Sequence, residues 1–230
     1  MELLSAELVA RCDVGGGLVL VEIEPAASMV SSYVHPGQVV KLVAEGHTSY
    51  FALAGRPGAT RWKLLVRDAG GISRALVTAP LGARFTMSAA SYAGMPYAQV
   101  DQGPFAIAVV GSALGAVRGL LHAVAEDGKA GRTTLYFGIR THEALPLEQE
   151  LAAFAAGGMR VVLCLSDVST ADPRPPFEAR VGLVQGAITA DHVGGLLPPG
   201  TRLYVAGPSA MMAELRALGP ELSLEVLTNG

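Results

Sequence analysis

Phe105 to Arg118 reads F-A-I-A-V-V-G-S-A-L-G-A-V-R, and this stretch decides the fold. Phe105 to Val110 is an unbroken apolar run, too short for a lone helix and rich in β-branched side chains, which predicts a parallel strand buried on both faces. Gly111-Ser112-Ala113-Leu114-Gly115 then leads into a helical pattern, Val117, Leu120, Leu121 and Val124, that ends near Gly128. A strand, a glycine turn and a helix N-terminus together aim backbone N–H groups and the positive end of a helix dipole at one point, where a phosphate can be held. The same pattern serves as a plain βα turn, because open α/β sheets also use glycine there for packing.

Downstream of this stretch the strand and helix patterns alternate. Strands are expected at Thr133 to Phe137, Arg160 to Ser166, Arg202 to Ala206 and Leu222 to Leu227. Helices are expected at Ala116 to Glu126, Leu147 to Ala156, Thr189 to Leu196 and Ala210 to Ala217. That order defines a doubly wound parallel sheet. Upstream, short β-like runs are separated by glycine or proline turns: Glu7 to Asp13, Gly17 to Glu24, Gln38 to Val43, Tyr50 to Ala54, Trp62 to Arg67 and Arg84 to Met87. Their spacing is that of an antiparallel barrel, with one short helix near Ile72 to Thr78. The change of character falls in the turn-rich segment from Gly94 to Pro104, dividing the chain into a β-barrel domain over residues 1–98 and an α/β domain over 99–230. The local loop D-P-R-P-P at Asp172 to Pro176 is not part of any repeat.

The chain has 230 residues, half of them hydrophobic, which is ample for two cores. A net charge of −3 with 16% charged residues excludes a nucleic-acid-binding stripe and a basic membrane patch. The first twenty positions are interrupted by Glu2, Glu7, Arg11 and Asp13, and no apolar run approaches a membrane span, so a cytoplasmic protein is expected. Cys12 and Cys164, far apart in apolar strand contexts, read as buried small hydrophobes and cannot supply the roughly four ligands of an iron–sulfur centre. His35, His47, His122, His142 and His192 show no ligand spacing, so no metal site is expected. No G-x-S-x-G elbow or H-E-x-x-H helix points to a hydrolase.

With both halves placed, the chain resembles the ferredoxin reductase superfamily of flavin- and pyridine-nucleotide-dependent oxidoreductases over nearly its whole length. His35 to Leu42, H-P-G-Q-V-V-K-L, is similar to the family's P-G-Q-Y-V strand, and Phe51-Ala52-Leu53-Ala54-Gly55 stands where it has Y-S-I-A-S. Leu64 to Arg67 replaces the next barrel strand, and Gly70-Gly71-Ile72-Ser73 resembles the G-x-x-S/T helix start that receives the flavin pyrophosphate. Gly111 to Arg118 resembles G-x-G-x-x-P-x-R, Tyr136 to Thr141 resembles Y-G-A-R-T, and Arg180 to Gly182 resembles G-R-V. Tyr204 to Met211, Y-V-A-G-P-S-A-M, resembles Y-V-C-G-P-x-x-M.

The resemblance implies FAD in the barrel, held by Tyr50, Phe51, Ala52, Leu53, Arg67, Gly71, Ile72 and Ser73. Tyr50 or Phe51 would supply the stacking face and Ser73 an N-cap hydroxyl. It implies a pyridine nucleotide at Gly111, Ser112, Ala113, Arg140, Asp167, Gly207 and Pro208, with no protein acid or base needed for hydride transfer. The implied function is an oxidoreductase passing electrons from NADH or NADPH through FAD to an unidentified acceptor, which can be a protein. Departures from the pattern leave a second reading open, a non-catalytic or electron-transfer subunit that keeps the fold; a flavin-bearing subunit with its own iron–sulfur centre is disfavoured by the cysteine count. The family's phosphate-binding arginine falls on Ser49, or on Thr48 one register away; its second glycine is Ala113, its proline Ala116 and its nicotinamide-side cysteine Ala206. Asp167, where relatives often grip a 2′-phosphate with arginine, favours NADH. The choice between FAD and FMN stays open.

Overall fold

The computed structural model of the chain describes residues 2–44, 46–95, 103–167, 181–189, 193, 197–218 and 225–228. The first half is one antiparallel sheet built from β1 (Leu3–Asp13), β2 (Leu18–Glu24), β3 (Val39–Ala44), β4 (His47–Ala52), β5 (Trp62–Arg67) and β6 (Arg84–Ser88), with α1 (Gly71–Thr78) between the last two. The strand order is β4-β3-β6-β1-β2-β5, and a single bridge between Leu53 and Leu64 draws the two edges together, so the sheet curls almost into a barrel. Alternation decides which side chains enter it. On β2 and β5, Val21, Ile23, Leu64 and Val66 point into a core that also holds Leu8, Tyr33, Trp62 and Leu76. Between them Glu22 and Lys63 face outward as directly opposed partners, 3.0 Å apart.

The second half is a wholly parallel sheet of β7 (Phe105–Val110), β8 (Thr133–Ile139), β9 (Arg160–Leu165), β10 (Val181–Gln185), β11 (Arg202–Ala206) and β12 (Glu225–Thr228), in the order β10-β9-β8-β7-β11-β12. Among the described residues its helices include α2 (Leu114–Glu126), α3 (Glu148–Ala156) and α4 (Ser209–Leu218). The run read as doubly buried is so: Phe105, Ile107 and Val109 pack in one core with α2 and α3, while Ala106 and Ala108 lie in a second core with Leu215 and Met211 of α4. Both faces of the sheet are therefore covered, which is why the strand carries no polar alternation.

The expected class, a barrel followed by a doubly wound parallel sheet, is the observed one. Three details differ. β1 starts at Leu3, where pairing with β6 carries a mixed polar sequence into the sheet. β10, V-G-L-V-Q, is a strand that the sequence pattern did not predict; its pairing with β9 supplies what its glycine-bearing sequence lacks in propensity. Cys12 is exposed, because β1 projects beyond the barrel core there, whereas Cys164 is fully buried. The expected domain boundary, the Asp172 to Pro176 loop, most of the Thr189 to Leu196 helix and the start of the last strand lie outside the described residues.

The two halves share one core. Leu18, Ala54 and Leu65 of the first half belong to the same apolar cluster as Leu114, Val117 and Leu121 of α2. The sequence allows this approach through two helical glycines: a methyl at Gly115 would stand 2.9 Å from Leu65 Cβ, and one at Gly119 would collide with the Gly55 carbonyl oxygen. Between those glycines Arg118, 8% exposed, donates from Nη1 to the Ala54 carbonyl (2.9 Å) and from Nε and Nη2 to the two oxygens of Glu150 on α3 (2.8 and 2.6 Å). His122 Nε2 approaches the same carboxylate at 3.3 Å. Burial pushes the Glu150 carboxyl upward in pKa, but the hydrogen bonds and charge of His122 and Arg118 outweigh it and hold the group below its ordinary value. On the other side of the joint, the β1–β2 turn lays Gly15 and Gly16, both at positive φ, against the backbone of Ala144 and Leu145, and Leu147 N–H donates to the Val14 carbonyl (2.7 Å).

Two measurements check this joint. Gly119→Ala adds about 1 kcal/mol of helix propensity, yet the clash with Gly55 costs more, as overpacking typically costs 1–3 kcal/mol, and is expected to lower the thermal midpoint followed by circular dichroism; an unchanged or raised midpoint contradicts the close approach. Because the Glu150 pKa is depressed in the folded state, its contribution is full above the unfolded value, about 4.3, and is lost as pH falls through the folded value. Urea midpoints should therefore fall more steeply below about pH 4.3 in the natural protein than in Glu150→Gln, which at neutral pH is destabilised by about 3 kcal/mol for leaving Arg118 without its anion.

Candidate functional site

In the parallel sheet the chain order reverses between β7 and β11, and ligands of open α/β sheets bind outside the carboxyl ends of the strands at such a point. There β7 runs out into Gly111 and β11 into Gly207. Gly111 takes φ +55 and opens a single 3-10 turn over Gly111–Ala113 that runs directly into α2. A crevice of about 850 Å3 lies over this point, between the barrel and the sheet. From the barrel it is walled by Tyr50, Phe51, Ala52 and Arg67 and by the start of α1 at Gly70 and Ser73; from the sheet, by Gly111, Ser112, Ala113, Gly207 and Pro208.

The crevice thus gathers residues far apart in the sequence. Phe51 backs onto the barrel core, and Tyr50 is 57% exposed. Leu53 and Ile72 lie elsewhere: both side chains are in the barrel core, so they act on the crevice only by shaping the backbone around it. Gly71 is the first residue of α1, with open space where a side chain would stand. The cap position is Gly70, not Ser73. Ser73 sits one turn in and its hydroxyl is engaged by the loop, accepting from Ala69 N–H (2.9 Å) and donating to the Gly70 carbonyl (2.7 Å).

The electrostatics of this wall rest on few groups. Arg67 is the one charged side chain lining the crevice among the described residues. The first-turn amides of α1 have no acceptor within the helix and carry the positive end of its dipole. Asp68 competes for that field: its Oδ1 accepts from Gly70 N–H at 3.0 Å and its carboxylate pairs with Arg74 at 3.2 Å, so the Gly70 hydrogen bond, first, and Arg74 depress its pKa. Sequence reading passed over Asp68, although its place directly after the strand that ends in Arg67 was a usable signal.

A second pocket, about 730 Å3, adjoins the first and shares Arg67, Val110, Gly111 and Pro208 with it. It sits over the ends of β8, β9 and β10. Arg140 follows β8 and Asp167 follows β9; Asp167 N–H donates to the Arg140 carbonyl (2.9 Å), extending the strand pairing, and Asp167 Oδ2 lies 3.7 Å from Arg140 Nε. The two ions therefore stand side by side on the rim. Leu18 of the barrel with Ala144 and Pro146 closes the opposite side. None of these three positions carries a motif, since they reach the pocket only through the joint between the halves.

At the loop itself, Ala113 has ordinary right-handed helical dihedrals, φ −63 and ψ −13, so no glycine is needed for conformation and only the reach of its methyl bears on a ligand. Ala116 lies inside the first turn of α2 rather than in the loop. Ala206, 6% exposed, ends β11 in the crevice wall.

Comparison with known proteins agrees with this geometry. Residues 109–217 match the oxidoreductase NAD-binding domain family. The ferredoxin–NAD(+) reductase component of the alkene monooxygenase system of Xanthobacter autotrophicus is 33% identical over 129 residues, 54% of this chain and 37% of that protein. An Amycolatopsis cytochrome P450 reductase superposes with a TM-score of 0.78 at 21% identity, covering 99% of this chain and 69% of that one. A ferredoxin NADP+ reductase from Neisseria gonorrhoeae, solved with FAD and NADP, superposes with a TM-score of 0.74 at 13% identity over the full length of both. At these identities the structural likeness shows the fold, a barrel joined to a parallel α/β sheet. The sequence matches add a likeness to oxidoreductase NAD-binding domains over residues 109–217, and the chain spans little more than a third of the reductase component it matches. No helix among the described residues is long and apolar enough to cross a membrane.

Cys164 lies under the second pocket, fully buried, and burial pushes its thiol up to about 11. Alkylation with iodoacetamide at pH 8 should label Cys12 and spare Cys164 in the folded protein, with both labelled in urea. Early labelling of Cys164, read by mass spectrometry, would contradict the packing of β9.

Proposed function

We propose that the chain is an oxidoreductase that binds FAD in the first crevice and NADH in the adjoining pocket, and passes electrons to a protein acceptor. The observation that carries this reading is the sharing of Arg67, Val110, Gly111 and Pro208 by both pockets at the strand switch point. Two ligands seated there meet edge to edge. The residues present fit the two groups: an apolar slot with Tyr50 and Phe51 for a ring system, the opened glycines Gly70 and Gly71 with the amides of α1 for one phosphate group, and Gly111 with the amides before α2 for another. Bound there, the flavin and the nicotinamide supply the hydride chemistry themselves.

The chain's own residues bind, orient and exclude water. Phe51, Ala52 and Val110 give the crevice apolar walls, and Arg67 faces both pockets, where its charge opposes that of phosphates on either side. With Asp68 lying against the start of α1 and no arginine at Ser49, flavin binding rests on backbone amides and Arg67. On the nucleotide side the Asp167 carboxylate accepts hydrogen bonds from ribose hydroxyls and repels a 2′-phosphate, while occupying the nearest cation, Arg140. This favours NADH over NADPH.

The test is an absorbance scan of the purified protein with added FAD, followed by anaerobic NADH and NADPH. Flavin bands that bleach faster with NADH are expected. No bound flavin under any condition would overturn the reading and favour a subunit that keeps the fold without the chemistry. Asp167→Asn should shift preference toward NADPH by ~1 kcal/mol, about fivefold in relative kcat/KM, the scale of one repulsion between solvated charges.

A further inference from the structure

A third cavity, about 280 Å3, opens at the joint between the halves, away from the crevice. Ala116 of α2 lines the crevice, and His122, six residues on and roughly 9 Å along the helix axis, lines this cavity. Among the described residues its other walls are Arg56, Arg61, Lys63 and Arg118, with the small residues Gly55 and Ala59 besides, and none of them is acidic. The carboxylates that accompany these cations stand outside the lining: Glu126 beside Arg56, Glu24 at 3.5 Å from Arg61, Glu22 at 3.0 Å from Lys63, and Glu150 against Arg118 and His122.

We propose that this cavity is a second anion site, which takes a small, multiply charged phosphate compound and ties the barrel to α2. Size and charge select that class. The volume equals about nine waters at their liquid share of ~30 Å3 each, room for a diphosphate or a small phosphate ester but not for a protein segment. The cations divide by role. Arg118 is held by Ala54 and Glu150 through three of its five N–H donors, leaving two in a buried, positively charged wall. Arg56, Arg61 and Lys63 are on exposed stems with side chains 54%, 58% and 36% accessible. Exposed ion pairs contribute little in water, so these three can turn from single carboxylates to one polyanion at small cost. Because Arg56 to Lys63 belong to the barrel and His122 to the sheet domain, an anion held between them stabilises the joint.

The probe is inorganic pyrophosphate in low-salt buffer, read by thermal unfolding and titration calorimetry. Saturable binding with a raised midpoint is expected, above that given by potassium chloride at matched ionic strength. Affinity should fall at least tenfold in Arg61→Gln/Lys63→Gln and be retained in Arg67→Gln, whose side chain lines the crevice instead. Absence of binding by both pyrophosphate and glycerol 2-phosphate, binding unaffected by the double variant, or binding lost in Arg67→Gln would each overturn the proposal. Should the double variant fail to fold, Arg56→Gln alone is expected to weaken binding, and an unchanged affinity there overturns it equally. Glycerol 2-phosphate separates the two sources of the same chemistry: binding of either probe that the double variant loses supports the site.

Discussion

The contact on which the rest of the structure depends is the backbone approach of α2 to the barrel. Gly119 meets the Gly55 carbonyl with no space for a methyl, Gly115 faces Leu65, and between them the Arg118 guanidinium fastens α2 to Ala54 on one side and to Glu150 on the other. A buried arginine needs hydrogen-bonding partners, and the bidentate carboxylate and the carbonyl engage three of its five N–H donors. The geometry has a consequence at each end of the helix. At its start, it sets Gly111 opposite Arg67 and the opening of α1, and so fixes the width of the crevice. At its far side, it creates the cation-lined cavity of His122 and Arg56.

The second joint, where Gly15 and Gly16 rest on Ala144 and Leu145, plays the same part for the second pocket. It brings Leu18 to the ends of β8 and β9, so that a pocket assigned by fold order to the parallel sheet is in fact closed by both halves. Leu147, at φ +53, begins α3 in a left-handed conformation that an apolar residue rarely adopts. Its N–H bond to Val14 and the packing of its side chain against the shared core hold it there. Strain at this position is thus offset by contacts between the halves.

The site departs from the ferredoxin reductase motifs it resembles in a way that follows from local structure. Ala113 and Ala116 are at home in helical turns, so the loop keeps its shape without the glycine and proline. What changes is the reach of the backbone amides and the balance of charge, with Asp68 set against the start of α1 and Asp167 after β9 beside Arg140. Both carboxylates are engaged by neighbours, Asp68 by Gly70 and Arg74 and Asp167 by Arg140, which moderates their repulsion of an incoming anion.

Local pattern was enough for the architecture. An apolar run without alternation, Phe105 to Val110, can only be buried on both faces, and a glycine followed by helical spacing can only leave it at the carboxyl end of a strand. The crevice residues Tyr50, Phe51, Gly111 and Pro208 followed from motifs in that frame. β10 and the burial of Leu53 and Ile72 were not legible, because strand pairing and barrel closure, not propensity, decide them. The exposure of Cys12 was hidden for a like reason: its chain neighbours are apolar, but the strand runs past the end of the core. Arg118, Glu150 and His122 carry no spacing that announces a partnership between helices so far apart in the chain. Sequence by itself determined what each element is, since periodicity and turn chemistry act within a few residues. Only the tertiary structure decided what meets across the joint, since close approach and ion pairing depend on which surfaces the folded halves present to each other.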